Sequence, residues 1–179
     1  MNVEEQLYFR FLDGDQQAFE QLVLMYKDHL IYFINRYVSD IHTAEDLAQD
    51  VFVDIYVKKE NYKSSYRLKT YLYTIARNKA VDYIRKQRRQ VPIVDMEQVK
   101  EQQIEEESLL NQFIWKEERE ELLATIHLLK PNYQALITLI DFEELSYKEA
   151  AKILHKTVPQ VKVSLHRARK ALKERLNER

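Results

Sequence analysis

One glycine, at position 14, and three prolines in 179 residues leave this chain few means of interrupting a helix. Glycine supplies left-handed turns and proline breaks helical runs, so their scarcity favours long helices over turn-rich sheets. With 45% hydrophobic residues to bury, the composition points to a nearly all-helical protein. Its length suits one sizeable domain or two small ones. The absence of cysteine excludes disulfides, thiolate metal sites and cysteine nucleophiles. It fits a reducing cytoplasm. No apolar run approaches the ~18 residues of a membrane span, and the acidic start "MNVEEQ" does not read as a signal peptide. A soluble cytoplasmic protein is expected.

Periodicity and capping residues divide the chain. A short helix is expected over about Val3–Leu12, ending at "DGD". Asp15 is read as the cap of a long helix to about Val38, with Phe19, Leu22, Val23, Tyr26, Leu30 and Phe33 on one face. Thr43 is read as the cap of the next helix, "AEDLAQDVFVDIYVKK". A polar loop, "ENYKSSYR", leads to a fourth helix ending near Arg89, with Leu68, Leu72, Ile75 and Ala76 inward. These four helices make one bundle, residues 1–90. Residues 91–108 are polar, acidic and without sustained periodicity, which reads as a linker. A second module follows over 109–179. A helix is expected to resume near Leu109 and run to Leu129, and Pro131 to open another through "PNYQALITLIDFE".

The C-terminal end carries the most specific local pattern. Ser146 and Glu149 form a capping box before "YKEAAKILHK". Thr157 and Gln160 form another before a basic helix, and Pro159 falls in its first turn, where a missing N–H costs nothing. Ala150, Ile153, Val161 and Leu165 are spaced to pack two short helices across a tight turn at Leu154-His155-Lys156. That is a helix-turn-helix, whose second helix enters the major groove of DNA. On it Gln160, Val163, Arg167 and Lys170 form one stripe, flanked by Lys162, His166 and Arg169, while Val161, Leu165, Ala168 and Leu172 face inward. Gln, Lys and Arg read base edges, and the remaining cations hold phosphates.

The formal net charge of −1 conceals segregation. Residues 61–90 carry nine Lys/Arg against Asp82 alone, and residues 152–179 carry nine more against Glu174 and Glu178. Two basic blocks in a near-neutral chain suggest two contacts with one polyanion. In the first block aromatics alternate with bases: Tyr62, Lys63, Tyr66, Arg67, Lys69, Tyr71, Tyr73, Arg77, Asn78 and Lys79, with Arg85 a turn beyond. Cations that track a backbone beside rings that stack on bases compose a single-strand contact, and Asn adds a bidentate base reader. One of Tyr71 and Tyr73 is expected to pack into the bundle instead. On the third helix Asp46, Asp50 and Asp54 recur at i, i+4 and i+8. Carboxylate metal bundles draw Glu and Glu-x-x-His from several helices. No such set occurs, so no metal is expected. The row reads as an acidic face for a basic protein partner, and His42 as a surface residue.

Taken in order, "DQQAFEQLVLMYKDHLIYFI", "AEDLAQDVFVDIY", "KTYLYTIARNKAVDYIRKQRR" and "ELSYKEAAKILHKTVPQVKVSLHRARKAL" resemble the extracytoplasmic-function (ECF) group of sigma-70 family RNA polymerase sigma factors. The resemblance spans nearly the whole chain except the linker. It implies an all-α protein with a sigma-2 bundle, a linker and a helix-turn-helix sigma-4 domain. It also implies a non-enzymatic role in transcription initiation, without cofactor or small-molecule substrate, in a stress or envelope response. By resemblance, Asp46, Gln49, Asp50 and Phe52 dock on the β′ clamp helices of core polymerase, and the second domain meets the β flap. "TYLYTIARN" and the loop before it match the segment that reads the minus-ten element and holds a flipped base, with Asn78 at a base-contacting position. Lys162, Val163, His166 and Arg167 fall in the minus-thirty-five contact register. Tyr71 stands where the family usually has Trp, and "LKPNYQAL" departs from the usual Leu-Pro-basic pattern with Lys130 inserted and Gln134 at the basic place. The resemblance implies a dedicated anti-sigma factor as a partner, one that is often membrane-bound. A helix-turn-helix repressor or activator with an N-terminal sensing bundle would account for the C-terminal module but not for the basic-aromatic segment. A nucleic-acid enzyme lacks a catalytic set.

Overall fold

A computed structural model describes residues 2–59, 62, 66–90 and 117–177. Among them there are helices and turns and no strand. The first bundle comprises α1 (Val3–Leu12), α2 (Gln16–Val38), α3 (Ile41–Val57) and α4 (Leu68–Gln90). The second comprises α5 (Glu117–His127), α6 (Pro131–Ile137), a π-helical turn (Thr138–Phe142), α7 (Tyr147–Leu154) and α8 (Val158–Asn177). The expected linker lies outside the described residues.

Short polar side chains set the helix starts. Asn2 and Glu5 form a capping box that satisfies two backbone donors at the start of α1. Gly14 takes φ +100°, a conformation that other residues enter only with strain, and this lets the chain reverse between α1 and α2. Asp15 caps α2 as expected, its carboxylate accepting from the Ala18 N–H. The start of α3 differs from expectation. Asp40 is its cap, and Thr43 is the third helical residue, donating its N–H to the Asp40 carboxylate at 2.8 Å. Both residues suit a cap, but Asp ranks above Thr, and its choice lets Ile41 join the core.

Tyr8, Leu30, Phe33, Ile34, Ile55 and Tyr73 fill the first core. Tyr73 stands edge-on to Phe33, ring centroids 5.0 Å apart, so it is the tyrosine that packs inward, while Tyr71 is half-buried. Each such side chain taken from water contributes about 1.5–3 kcal/mol. In the second core, Ile126, Leu136, Ile137, Leu139 and Ile153 meet Val161, Leu165 and Ala168 of α8.

A continuous helix from Pro131 to Glu143 was the expectation. Instead α6 widens after Ile137, and the Glu143 N–H donates to the Thr138 carbonyl, an i→i+5 bond. The extra residue in this turn aims two carboxylates apart. Asp141 forms an ion pair with Arg169 of α8. Glu143 points back into the first bundle. The two bundles therefore touch, α4 against α7 and α2 against α6.

Candidate nucleic-acid interface

The helix-turn-helix forms as its capping residues dictate. Ser146 Oγ accepts from the Glu149 N–H, and the Glu149 carboxylate accepts from the Ser146 N–H at 2.8 Å. Thr157 and Gln160 repeat this at α8, with the Thr157 N–H donating to Gln160 Oε1 at 2.9 Å. The turn between them needs a left-handed residue and has no glycine. His155 takes that conformation, φ 52° and ψ 47°. Its N–H and that of Lys156 close onto carbonyls of α7. Val161, Leu165 and Ala168 are buried, which turns Gln160, Lys162, Val163, His166, Arg167, Arg169 and Lys170 outward. Val163 is half exposed, at 51%, an unpacked aliphatic in an otherwise polar stripe. Four members of the set are partly committed elsewhere, among them Lys162, whose ammonium lies 5.7 Å from the Tyr147 ring. Gln160 closes the cap, and Arg169 pairs with Asp141, which ties α8 to the π turn. Lys170 reaches Glu174 one turn on, at 3.8 Å.

The basic block on α4 is also sorted by packing. Leu72, Ala76 and Ala80 bury one side, leaving Asn78 and Arg85 exposed and Arg77 and Lys79 half-buried. Lys79 bonds Asp54 of α3 at 2.8 Å, and hydrogen bonding to that ammonium holds the Asp54 carboxyl below its ordinary range. Arg85 pairs with Asp82 at 3.3 Å on an open surface. Tyr66 and Arg67 are exposed. Tyr62 is placed otherwise than a base-stacking ring requires. It is 9% exposed, packs edge-on to Tyr8, and donates its hydroxyl to the Tyr66 carbonyl at 2.6 Å. Tyr71 leans on it with centroids 5.6 Å apart. Lys63 lies outside the described residues.

On α3, Asp46, Gln49 and Asp50 are exposed together, an acidic strip without a buried partner. Phe52 is not part of that surface. It is 8% exposed and packs edge-on to Phe19, holding α3 to α2 from behind. His42 is a surface residue beside Glu45. Among the described residues no group of His, Asp and Glu is placed to hold a metal.

Sequence reasoning found both basic faces but not what lies between them. Glu143, 5% exposed, accepts from His29 of α2 at 2.7 Å and pairs with Lys69 of α4 at 3.3 Å. The Glu149 carboxylate, besides capping α7, accepts from Thr70 Oγ1 at 3.0 Å. Asn78 Oδ1 lies 3.3 Å from His155 Nε2, and the Lys152 ammonium sits over the Tyr66 ring. Gln134, at the position that departs from the family pattern, donates to the His127 and Leu129 carbonyls and accepts from Arg36. The only advance signal was opposite charge, acid at the edges of α7 against base on α4.

Family models match two segments: Sigma-70 region 2 over residues 22–90 and Sigma-70, region 4 over residues 119–172. The RNA polymerase sigma-H factor of Pseudomonas aeruginosa is 31% identical over 97% of this chain and 93% of its own length. The ECF RNA polymerase sigma factor SigW of Bacillus subtilis is 32% identical over 92% of both chains. Among solved structures, the sigma factor RpoE of Bartonella quintana, in complex with the anti-sigma factor NepR, superposes with TM-score 0.67 at 27% identity, covering 90% of this chain and 98% of that one. A helix-turn-helix with an exposed basic stripe and a basic-aromatic helix beside an acidic strip agree with these matches along nearly the whole length, and the chain belongs to the extracytoplasmic-function subfamily of the sigma-70 family of RNA polymerase sigma factors.

Proposed function

We propose that this sigma factor divides its work between a domain at residues 1–90 and a domain at 109–179, joined by a linker at 91–108. As a sigma factor it directs promoter recognition and is not itself an enzyme. Polymerase makes the phosphodiester bonds. Asp46, Gln49 and Asp50 dock on the β′ clamp helices, and Phe52 keeps that helix in place from the core. Tyr66, Arg67, Arg77 and Asn78 meet the melted minus-ten strand with Lys63 and Lys79, while Arg85 holds phosphate. Tyr62 and Tyr71 support the loop that carries the flipped base. Lys162, Val163, His166 and Arg167 read the minus-thirty-five element from the major groove. Gln160, Arg169 and Lys170 sit beside them, in reach of bases or phosphates.

The observation that carries this reading is the outward stripe on α8, opposite a buried Val161–Leu165–Ala168 seam. Val163, His166 and Arg167 on this face stand exposed at its centre, and such a face suits a groove. An anti-sigma factor fits as the partner that restrains the protein. The similar Bartonella protein was solved with one. The second domain then meets the β flap, and the setting is the cytoplasm, with sequestration at the membrane if the anti-sigma factor is anchored there. A stress or envelope regulon is the corresponding output. The test is reconstitution with core polymerase and run-off transcription from genomic promoter fragments. Stoichiometric capture of β and β′ with promoter-specific transcripts is expected. A homodimer that binds duplex DNA and ignores polymerase would refute it.

A further inference from the structure

Three of the residues proposed to meet the minus-ten strand, Tyr66, Arg67 and Asn78, keep exposed surface yet are contacted by the second bundle. Lys152 lies over Tyr66, His155 is against Asn78, and Glu149 is 4.0 Å from the Arg67 guanidinium. All three contacting residues belong to the helix-turn-helix, so one bundle stands in the way of a strand approaching this face of the other. At the centre of this contact is a single buried carboxylate. Glu143 leaves the second bundle on the π turn and ends between His29 and Lys69 of the first. A carboxylate so enclosed holds only with cations around it. Those cations lie on two different helices of the other bundle. Separation of the bundles breaks both pairs at once.

We propose that Glu143 is a latch that keeps the free sigma factor closed, with the helix-turn-helix covering the nucleic-acid face of α4, and that the latch slackens when His29 loses its proton. This rests on the reading of α4 as the minus-ten face. The groups that face the latch are known from every element packed on it. His29 and Tyr26 come from α2, with Asp28 beside His29, and Lys69 and Tyr73 come from α4. Hydrogen bonding to Glu143 raises the His29 pKa above its ordinary value, against the opposing effect of burial. Burial pulls the Glu143 carboxyl upward, and the His29 and Lys69 cations outweigh it, so the net direction is down. A raised histidine binds its proton more tightly closed than open. Its contribution to closure is therefore full below the ordinary histidine value of ~6.5 and is lost as pH rises through the higher closed-state value. The depressed carboxylate sets the other edge. Its contribution is lost only as pH falls through the lowered Glu143 value.

The test uses the full chain. It has no cysteine, so dyes can be placed at introduced Q21C and K173C, both exposed positions on separate bundles. Energy transfer between them reports closure, and a fluorescent single-stranded oligonucleotide reports access to α4. Wild type is expected to lose transfer as pH rises above the ordinary histidine value of ~6.5, where a raised histidine gives up its proton. Glu143→Gln keeps the shape and removes the charge. It should be open throughout and bind the oligonucleotide on the order of tenfold more tightly, since a closed majority no longer taxes the affinity. His29→Lys keeps a cation at every pH used and should remain closed, with a flat profile. Unchanged transfer in Glu143→Gln, or a wild-type pH profile in His29→Lys, would overturn the latch. Opening without any gain in oligonucleotide binding would overturn the masking. Transcription with core polymerase reads separately, because its failure for wild type would sink the sigma assignment of α4 while leaving the transfer measurements intact.

Discussion

Arg36 is the residue whose replacement should most improve this fold. It lies on α2 against the second bundle and is only 3% exposed. Of its five donors one makes a hydrogen bond, to Gln134 Oε1 at 3.3 Å, and Nε and Nη2 have no partner. The Tyr32 ring, 3.8 Å from the guanidinium carbon, supplies its other favourable contact. Burial pushes the guanidinium down from its ordinary value, by more than two units, to about 10. At 1.36 kcal/mol per pKa unit, that is a penalty of about 3 kcal/mol on the charged form, present at neutral pH and relieved only above both values. Arg36→Met keeps the length and apolar stem while deleting the charge. It forfeits the ring contact and one hydrogen bond, together roughly 1–2 kcal/mol. The net expectation is a gain of about 1–2 kcal/mol, or ~3–6 °C in Tm for a chain of this size. Thermal unfolding followed by circular dichroism at pH 7 measures it. A fall in Tm of several degrees would mean that the guanidinium is a structural asset and that the reasoning from desolvation is wrong.

Asp50→Arg on the acidic strip should abolish capture of core polymerase at unchanged helicity, since reversing a close interfacial charge costs several kcal/mol; retained affinity refutes the docking assignment. Asn78→Ala should relax discrimination at one minus-ten base by about 1–3 kcal/mol, measured by substituting each base of that element in turn; an unaltered penalty at every position refutes it. Lys170→Ala should weaken duplex binding by all sequences alike and lower the salt slope by about one counterion, whereas Arg167→Ala should penalise the correct minus-thirty-five sequence selectively. Equal, sequence-blind losses for both would mean that α8 rests on the backbone only. Ser146→Ala removes a cap bond on α7 and should cost the second bundle about 1 kcal/mol, visible as earlier unfolding.

What the sequence disclosed depends on how local the cause is. The capping boxes at Ser146 and Thr157 were legible because donor and acceptor lie three residues apart, and the end of α1 was legible because its stop, Asp13-Gly14-Asp15, directly follows it. The turn at residues 154–156 followed from the same arithmetic, since the spacing left only that place for it, and His155 takes its left-handed position. The cap of α3 was misplaced by three residues, because Asp40 and Thr43 satisfy the same rule and only the burial of Ile41 decides between them. Motif membership told nothing of depth. Phe52 and Tyr62 sit within segments proposed to face a partner, yet packing turns both inward. The π turn had no sequence signal and the Glu143 contact none beyond opposite charge, because they express a docking between residues 114 positions apart.

The division of labour on α8 has a consequence for how such a protein can diverge. Its attachment to the fold rests on Val161, Leu165, Ala168 and the Arg169–Asp141 pair, while Lys162, Val163, His166 and Arg167 are exposed, Lys162 with its ammonium 5.7 Å from the Tyr147 ring. Exposed positions of that kind usually tolerate replacement within about 0.5 kcal/mol. A duplicated gene could therefore rewrite its target vocabulary at those four places without first acquiring a stability reserve. Orthogonal regulators could be drawn from a library confined to them, with nearly every member folded before any is selected for what it reads.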